Sequence, residues 1–179
     1  MIRQTVIAYW LIPSEPAHSF FQRIINDLAR QYDAPVFEPH VTIHVGADCA
    51  DAAENALRDA ARKSKVIALR PRGIDQSDEF IKTLFVQFPM SAELRKINDI
   101  VREAADDSSH YELEPHLSLL YKSLATATRR ELAASIKVPL FEVTFEGIKA
   151  VRCISPTKSG AQVEAWHVVA AASLSDDHV

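Results

Sequence analysis

Apolar positions in this chain recur with two periods, and the period changes at regular intervals. Residues 5–12 form a nearly unbroken apolar, β-forming run closed by Pro13, which predicts a buried strand. Phe20, Phe21, Ile24, Ile25 and Leu28 then fall at helical spacing, so residues 16–32 are predicted as an amphipathic helix. After Pro35, alternation over residues 40–46 predicts a second strand. An Ala-rich helix with Leu57 on its inner stripe follows at 51–64, then a strand at 66–72. The same order runs again: a strand at 80–88, then a helix opened by Pro89 and Ser91 with Leu94, Ile97, Val101 and Ala104 on one stripe. A polar loop at 106–109 leads to a strand at 116–122, and a short helix near 127–135 carries a capping-box spacing at Thr128 and Glu131. A long strand at 140–152, a turn-rich loop at 155–162 and a strand at 166–174 complete the pattern, and residues 175–179 read as a frayed tail.

Strand-helix-strand-helix-strand therefore occurs twice, with one strand added. That is a duplication of pattern rather than of residue identity. It suggests an α+β chain of two similar lobes about a pseudo-twofold axis. The order alone also fits a ferredoxin-like domain with extensions.

Within this frame, two stretches share a pattern of another kind. Pro39-His40-Val41-Thr42-Ile43 and Pro115-His116-Leu117-Ser118-Leu119 both read Pro-His-apolar-hydroxyl-apolar, 116 − 40 = 76 residues apart. On a strand, residues i and i+2 share a face. His40 then sits beside Thr42 and His116 beside Ser118, with the apolar residues opposite. One such motif is common and reads as a hydrogen-bonded structural histidine. Two copies, each led by Pro inside an alternating segment, point to chemistry. A pair of imidazoles can supply a general base and a general acid. Hydroxyls and a protonated imidazole can hold an anion.

At these residues the chain resembles the two-histidine (2H) phosphoesterase superfamily, and within it the cyclic phosphodiesterase family of plants and fungi. The likeness also takes in Ala8-Tyr9-Trp10-Leu11-Ile12-Pro13, Phe37-Glu38, the Leu120-Tyr121 tail of the second motif, and Val163-Glu164-Ala165-Trp166, spanning about residues 5 to 174. The resemblance implies two antiparallel sheets lining a central cleft, with helices outside and the motif strands facing each other across it. It implies His40 and His116 as the catalytic pair, with Thr42 and Ser118 as phosphate clamps. By motif match, Tyr121 and Trp10 would bind substrate, stacking on a base or sugar. Trp10 reads equally well as core packing, and Tyr121 reaches the cleft only where the strand bends or ends. The implied reaction is metal-independent hydrolysis of a small cyclic phosphate, ADP-ribose 1″,2″-cyclic phosphate or a nucleoside 2′,3′-cyclic phosphate, to a phosphomonoester. The alternatives are a sister 2H enzyme acting on a 2′,3′-cyclic end or a 2′–5′ linkage of RNA, and a nucleotide-binding module without turnover.

The remaining histidines and charges refine this reading. His40 and His44 copy a metal-ligand spacing, but on a strand they stand about 13 Å apart at 3.3 Å per residue, too far for one ion. His44 is read as structural or as rim-lining. His18, His110, His167 and His178 form no ligand spacing with a Cys or carboxylate, so no metal and no cofactor is expected. Lys82 is an unusual charge in an apolar segment: it either faces the cleft and attracts phosphate or marks an exposed strand face.

Composition places these features in one ordinary globular domain over 1–179, with lobe-like halves at about 1–75 and 76–174. The apolar fraction is 47% and the charged fraction 25%, enough for a sizeable core. A net charge of −4 argues against a broad basic groove, so nucleic acid is expected as a partner only through an RNA end. Cys49 and Cys153 form neither a metal spacing nor a disulfide framework. With no signal-peptide layout and no membrane-length apolar run, a cytoplasmic monomer is expected.

Overall fold

A computed structural model describes residues 3–105, 109–137 and 141–176. Its central strand is β1 (Gln4–Pro13), whose apolar run is buried on both faces from Val6 onward. Burial on both faces is what a continuous hydrophobic strand requires. Ile7, Tyr9 and Leu11 join the main core, while Ala8, Trp10 and Ile12 form a smaller cluster with Val151. The main core is closed by three helices. α1 (Ala17–Tyr32) buries Phe21, Ile25 and Leu28, and ends at Asp33 with φ +49. α2 (Ala50–Lys63) buries Ala53, Ala56, Leu57 and Ala60.

The other strands are β2 (Val41–Ala47), β3 (Ile67–Leu69), β4 (Gly73–Gln76), β5 (Leu84–Gln87), β6 (His116–Leu120), β7 (Val143–Ser155) and β8 (His167–Ser173). The third core helix, α3 (Ala92–Ala104), buries Leu94, Ile97 and Val101, and the Ser91 side chain accepts from Leu94 N–H at its N-terminus, as the sequence predicts. All pairings are antiparallel, in the order β3-β7-β1-β2-β6-β5-β4, with β8 also on β7. The expected antiparallel sheets with outer helices are thus joined into one eight-stranded sheet. The join is a single residue pair, Val41 with Leu117. Beyond it β2 and β6 diverge, and the segment leading into β6 fills the gap. The Tyr111 hydroxyl donates to Thr42 O at 3.4 Å and the Ser109 hydroxyl to Val45 O at 2.7 Å. The two motif strands are therefore neighbours in the sheet rather than opposite walls of a cleft. Strand pairing also crosses the middle of the chain, since β7 and β8 extend the sheet beside β1.

Several local expectations change. The strand predicted at 66–72 shrinks to β3, and β4 follows it. Residues 80–82 form a 3-10 turn, not the start of a strand. Side chains compete for the backbone there: the Ser77 hydroxyl donates to Lys82 O at 2.6 Å, and the Thr83 hydroxyl lies 2.8 Å from Lys122 O. Helix α4 (Thr126–Ser135) begins two residues before Thr128, so no capping box forms. The loop predicted at 155–162 holds the start of α5 (Gly160–Glu164), capped by Ser159. Parts of the predicted 106–109 loop, of the 140–152 strand and of the 175–179 tail lie outside the described residues.

Candidate active site

The Val41–Leu117 pair brings the two motifs together. Both side chains are fully buried in the main core. Their strand neighbours His40, Thr42, His116 and Ser118 therefore turn to the opposite face. Antiparallel pairing sets Thr42 towards His116 and His40 towards Ser118. All four line one pocket of about 310 Å³, together with Trp10, Tyr121, Lys82 and Trp166. Every residue expected at the site from sequence is brought to this pocket.

His44 is not, and a β-bulge explains why. On β1, Tyr9 pairs with His44 while Trp10 pairs with Thr42, so β2 carries one extra residue between them. The bulge puts Ile43 and His44 on the core side and returns Val45 to the pocket. α3 supports it: the Asn98 amide donates to Ile43 O at 2.6 Å. His44 ends fully buried against the rings of Tyr9 and Tyr111.

Each histidine is held by the same backbone device. His40 Nδ1 lies 2.7 Å from Glu38 O, and His116 Nδ1 lies 2.7 Å from Glu114 O. A carbonyl only accepts, so each Nδ1 carries a proton. Nε2 of each neutral ring is then a lone-pair nitrogen left for the pocket. The proline between each Glu and His fixes the chain for this two-residue return. The Glu side chains are anchored as well. Glu38 takes Lys149 Nζ at 2.6 and 2.8 Å and stands 3.3 Å from His18 Nε2. Glu114 takes Lys82 Nζ at 2.8 Å. The duplicated unit is Glu-Pro-His, one residue longer than the motif read from the sequence. The glutamate was visible at both positions; its lysine partners, 111 and 32 residues away, were not.

The rings around the two histidines differ. Trp10 stacks on His40 with centroids 3.7 Å apart and planes at 12°. That face of Trp10 is taken, so its contacts are those of a support under the imidazole rather than of an open base-stacking platform. Trp166, quoted in the resemblance but not expected at the site, stands edge-on to Trp10, His40 and Tyr121. Tyr121 follows the last residue of β6 and so escapes the strand alternation. It is buried, stacked on Phe37 at 3.8 Å. His116 instead meets Phe85 edge-on at 5.5 Å, and the Lys82 ammonium lies 4.9 Å from the same ring. Ser118 is buried and its hydroxyl donates to Ile81 O at 2.8 Å, so giving a bond to an anion requires leaving that carbonyl.

Burial sets the charge state of both imidazoles. His40, 6% exposed, is pushed down to about 4, chiefly by desolvation and in part by His116, against the pull of the Glu38 carbonyl. His116 is lowered too, by burial and then by Lys82, with the Glu114 carbonyl opposing. Burial pushes the Tyr121 phenol well above its usual range, so it stays neutral. Among the described residues no three His, Cys, Asp or Glu side chains gather as a metal site. No helix among them is long and apolar enough to cross a membrane.

A family profile described as "Cyclic phosphodiesterase-like protein" matches residues 5–174. A protein named "Cyclic phosphodiesterase" from Arabidopsis thaliana is 24% identical over 177 residues, covering 97% of each chain. Among solved structures, LigT of E. coli, crystallised with 3′-AMP, superposes with a TM-score of 0.59 at 13% identity, covering 95% of this chain and 98% of that one. A protein of Thermus thermophilus superposes with a TM-score of 0.62 at 15% identity, covering 97% and 100%. With its two Glu-Pro-His units on one pocket and a profile match over nearly its whole length, the chain belongs to the cyclic phosphodiesterase-like family of 2H phosphoesterases.

Proposed function

We propose that this protein hydrolyses a small cyclic phosphodiester to a phosphomonoester, with His40 and His116 as the proton-transfer pair. The observation that carries the reading is the matched presentation of two imidazoles on adjacent strands, each with Nδ1 held 2.7 Å from a backbone carbonyl. A strained cyclic ester needs a proton removed from water and one given to the leaving oxygen. Two imidazoles supply both. The neutral ring takes the proton of the attacking water at Nε2. Its partner, protonated, gives one to the departing ribose oxygen as the phosphorus–oxygen bond breaks. The product then has a free hydroxyl beside its phosphomonoester, and solvent exchange restores both rings.

The difference in burial favours His40 as the base and His116 as the acid. A ring held at about 4 is neutral across the working range. The half-buried His116 protonates more readily when an anion enters. Thr42 and Ser118 flank the two rings, Trp10 supports His40, and Tyr121 lines the pocket beside Trp166. A pocket of about 310 Å³ suits a mononucleotide-sized group, which fits a nucleoside 2′,3′-cyclic phosphate whole and ADP-ribose 1″,2″-cyclic phosphate by its cyclic ribose phosphate end. The relative from Arabidopsis thaliana, named a cyclic phosphodiesterase, supports a cyclic phosphodiester as the substrate.

The test is a product-resolved assay on a panel of cyclic phosphates, with phosphorus NMR to locate the remaining phosphate. Ring opening to a single phosphomonoester isomer is expected. Absence of turnover on every cyclic phosphate, with the protein folded, would remove the reading.

A further inference from the structure

The two Glu–Lys pairs behind the histidines are alike in sequence logic and unlike in position. Lys149 sits opposite Trp10 in the β1–β7 register and is gripped by both carboxylate oxygens of Glu38. It does not line the pocket. Lys82 does, and a single oxygen of Glu114 holds it. Its side chain is 19% exposed, while the Glu114 side chain is 66% exposed.

Charge makes this position consequential. The pocket is also lined by Glu79, Glu112 and Glu114, and Lys82 is the one Lys or Arg among the described residues on its wall. Both imidazoles are neutral there near pH 7. A phosphodiester entering this space meets carboxylates and neutral groups, and one permanent cation. The 3-10 turn that carries Lys82 is fastened to the site itself, since Ser118 donates to the adjoining Ile81 carbonyl. The same turn is closed by Ser77 on the Lys82 carbonyl. The Phe85 ring under the ammonium gives it a second resting contact.

We infer that Lys82 binds the substrate phosphate, and that Glu114 holds its ammonium at the pocket wall until an anion competes for it. Lys149, in the equivalent pair, only anchors Glu38. The inference rests on the proposed reaction for the identity of the anion, but not for its test. An ammonium drawn from Glu114 to the phosphate also lies beside His116, since both meet the Phe85 ring, so it places positive charge where the phosphoryl oxygens gather negative charge.

The experiment is calorimetric titration of the full chain with inorganic phosphate, at pH 7 and low salt. It uses wild type and the variants Lys82→Met, Lys82→Arg, Glu114→Gln, Glu112→Gln and Lys63→Met, with melting curves for each. Lys82→Met should weaken phosphate at least about tenfold, the scale of a charge-assisted hydrogen bond. Lys82→Arg should restore most of that affinity. Glu114→Gln should tighten phosphate, and more than Glu112→Gln, which also lines the pocket but does not touch Lys82. Lys63→Met should leave it within about twofold, as a charge change with no direct contact to the anion. Equal affinity in wild type and folded Lys82→Met overturns the inference. So does a loss that Lys63→Met reproduces, because that is an effect of net charge. If Lys82→Met does not fold, Glu114→Gln decides: an affinity no higher than that of Glu112→Gln overturns the inference. Failure of wild type to bind phosphate overturns it as well. A wild type that binds phosphate through Lys82 yet opens no cyclic phosphate removes the proposed reaction and leaves the assignment of Lys82 standing.

Discussion

Glu38-Pro39-His40 leads into β2, and Glu114-Pro115-His116 leads into β6. In both, the glutamate carbonyl takes Nδ1 at 2.7 Å and a distant lysine takes the glutamate side chain. Beyond that shared device the two regions part. His40 is sealed by Trp10, with Phe37 and Trp166 edge-on. His116 is half-buried, with Phe85 on one side and an ion pair that opens to the pocket. The backbone device orients both rings in the same way. The surroundings then separate them in proton affinity. Pairs of titratable groups pushed apart by their environments are how one site performs acid and base steps together.

The largest expected effect tests whether both rings take part and in which order. His40→Ala and His116→Ala should each lower kcat by about 10²–10⁴, the range for loss of a positioned general base or acid. The double variant should cost far less than the product, because the two act as a unit. To separate the roles, the leaving oxygen is replaced by sulfur in the cyclic substrate. A thiolate leaves without protonation, so His116→Ala should regain most of its rate on that substrate and His40→Ala should not. The reverse rescue would exchange the roles, and rescue of neither would end the acid–base division. Melting curves guard against His40→Ala acting through the cavity it leaves under Trp10.

How much of this was legible beforehand depends on how far each feature reaches along the chain. β1, α1 and α3 were readable because their periodicity is strong and their stop signals are local. Residues 80–82 were misread because apolar content spoke for a strand, whereas Ser77 and Thr83 bind backbone carbonyls and close a turn. That competition is visible only when Lys122 is known to lie nearby. The bulge that removes His44 from the site had no sequence signal, since Asn98 holds it from another helix. Trp10 was read either as substrate-binding or as core packing, and its place against His40 depends on the register of β1 against β2. The histidine and hydroxyl positions were legible because a duplicated short motif marks itself. Lys149 and Lys82 are tied to those motifs across 111 and 32 residues, and no local pattern reports such a pairing.

A second, smaller effect should appear when pH is used to read the two rings apart. In free enzyme the base must be neutral, above about 4, and the acid protonated, below a value itself lowered from 6.5. The kcat/KM profile should therefore be a bell with its maximum between about 4 and 6.5, its limbs belonging to the coupled pair. The kcat limbs should lie at higher pH, because a bound anion favours the charged rings. Stability should show the same ring from the other side. Unfolded His40 binds its proton below about 6.5, while the folded form resists until about 4. The unfolded chain then holds more protons in that window, so stability is complete above it and falls on acidification. The full contribution is about 3 kcal/mol. Urea midpoints at pH 7 and 5 should differ by less in His40→Gln than in wild type. Equal differences would mean that the ring is not held dry in solution.

The smallest expected effect compares the two hydroxyls, which the motif makes equivalent and the structure does not. Thr42 lines the pocket opposite His116, on the strand edge that borders the divergence of β2 from β6. Ser118 is buried, and its proton is already given to Ile81 at 2.8 Å. Removing Thr42 Oγ1 by Thr42→Val keeps the β-branched shape and deletes one donor facing the substrate. The expected result is a kcat/KM reduced by an amount equivalent to about 0.5–1.5 kcal/mol, the net worth of a neutral hydrogen bond, or up to about 3 if the phosphate charge is fully engaged. Stability should barely move. Ser118→Ala should behave differently. It leaves the Ile81 carbonyl without its donor and loosens the turn that carries Lys82, so it should lower the melting temperature and also raise KM. Restoring the hydroxyl as Ser118→Thr should recover both only if the added methyl fits beside Tyr121. The decisive comparison is the ratio of KM to stability change in the two variants, measured with one nucleoside cyclic phosphate. If both variants lose the same kcat/KM with no loss of stability, Ser118 leaves Ile81 when substrate binds and the two hydroxyls act as equal clamps. If only Ser118→Ala loses stability, one copy of the hydroxyl serves the substrate and the other holds the turn that carries the cation.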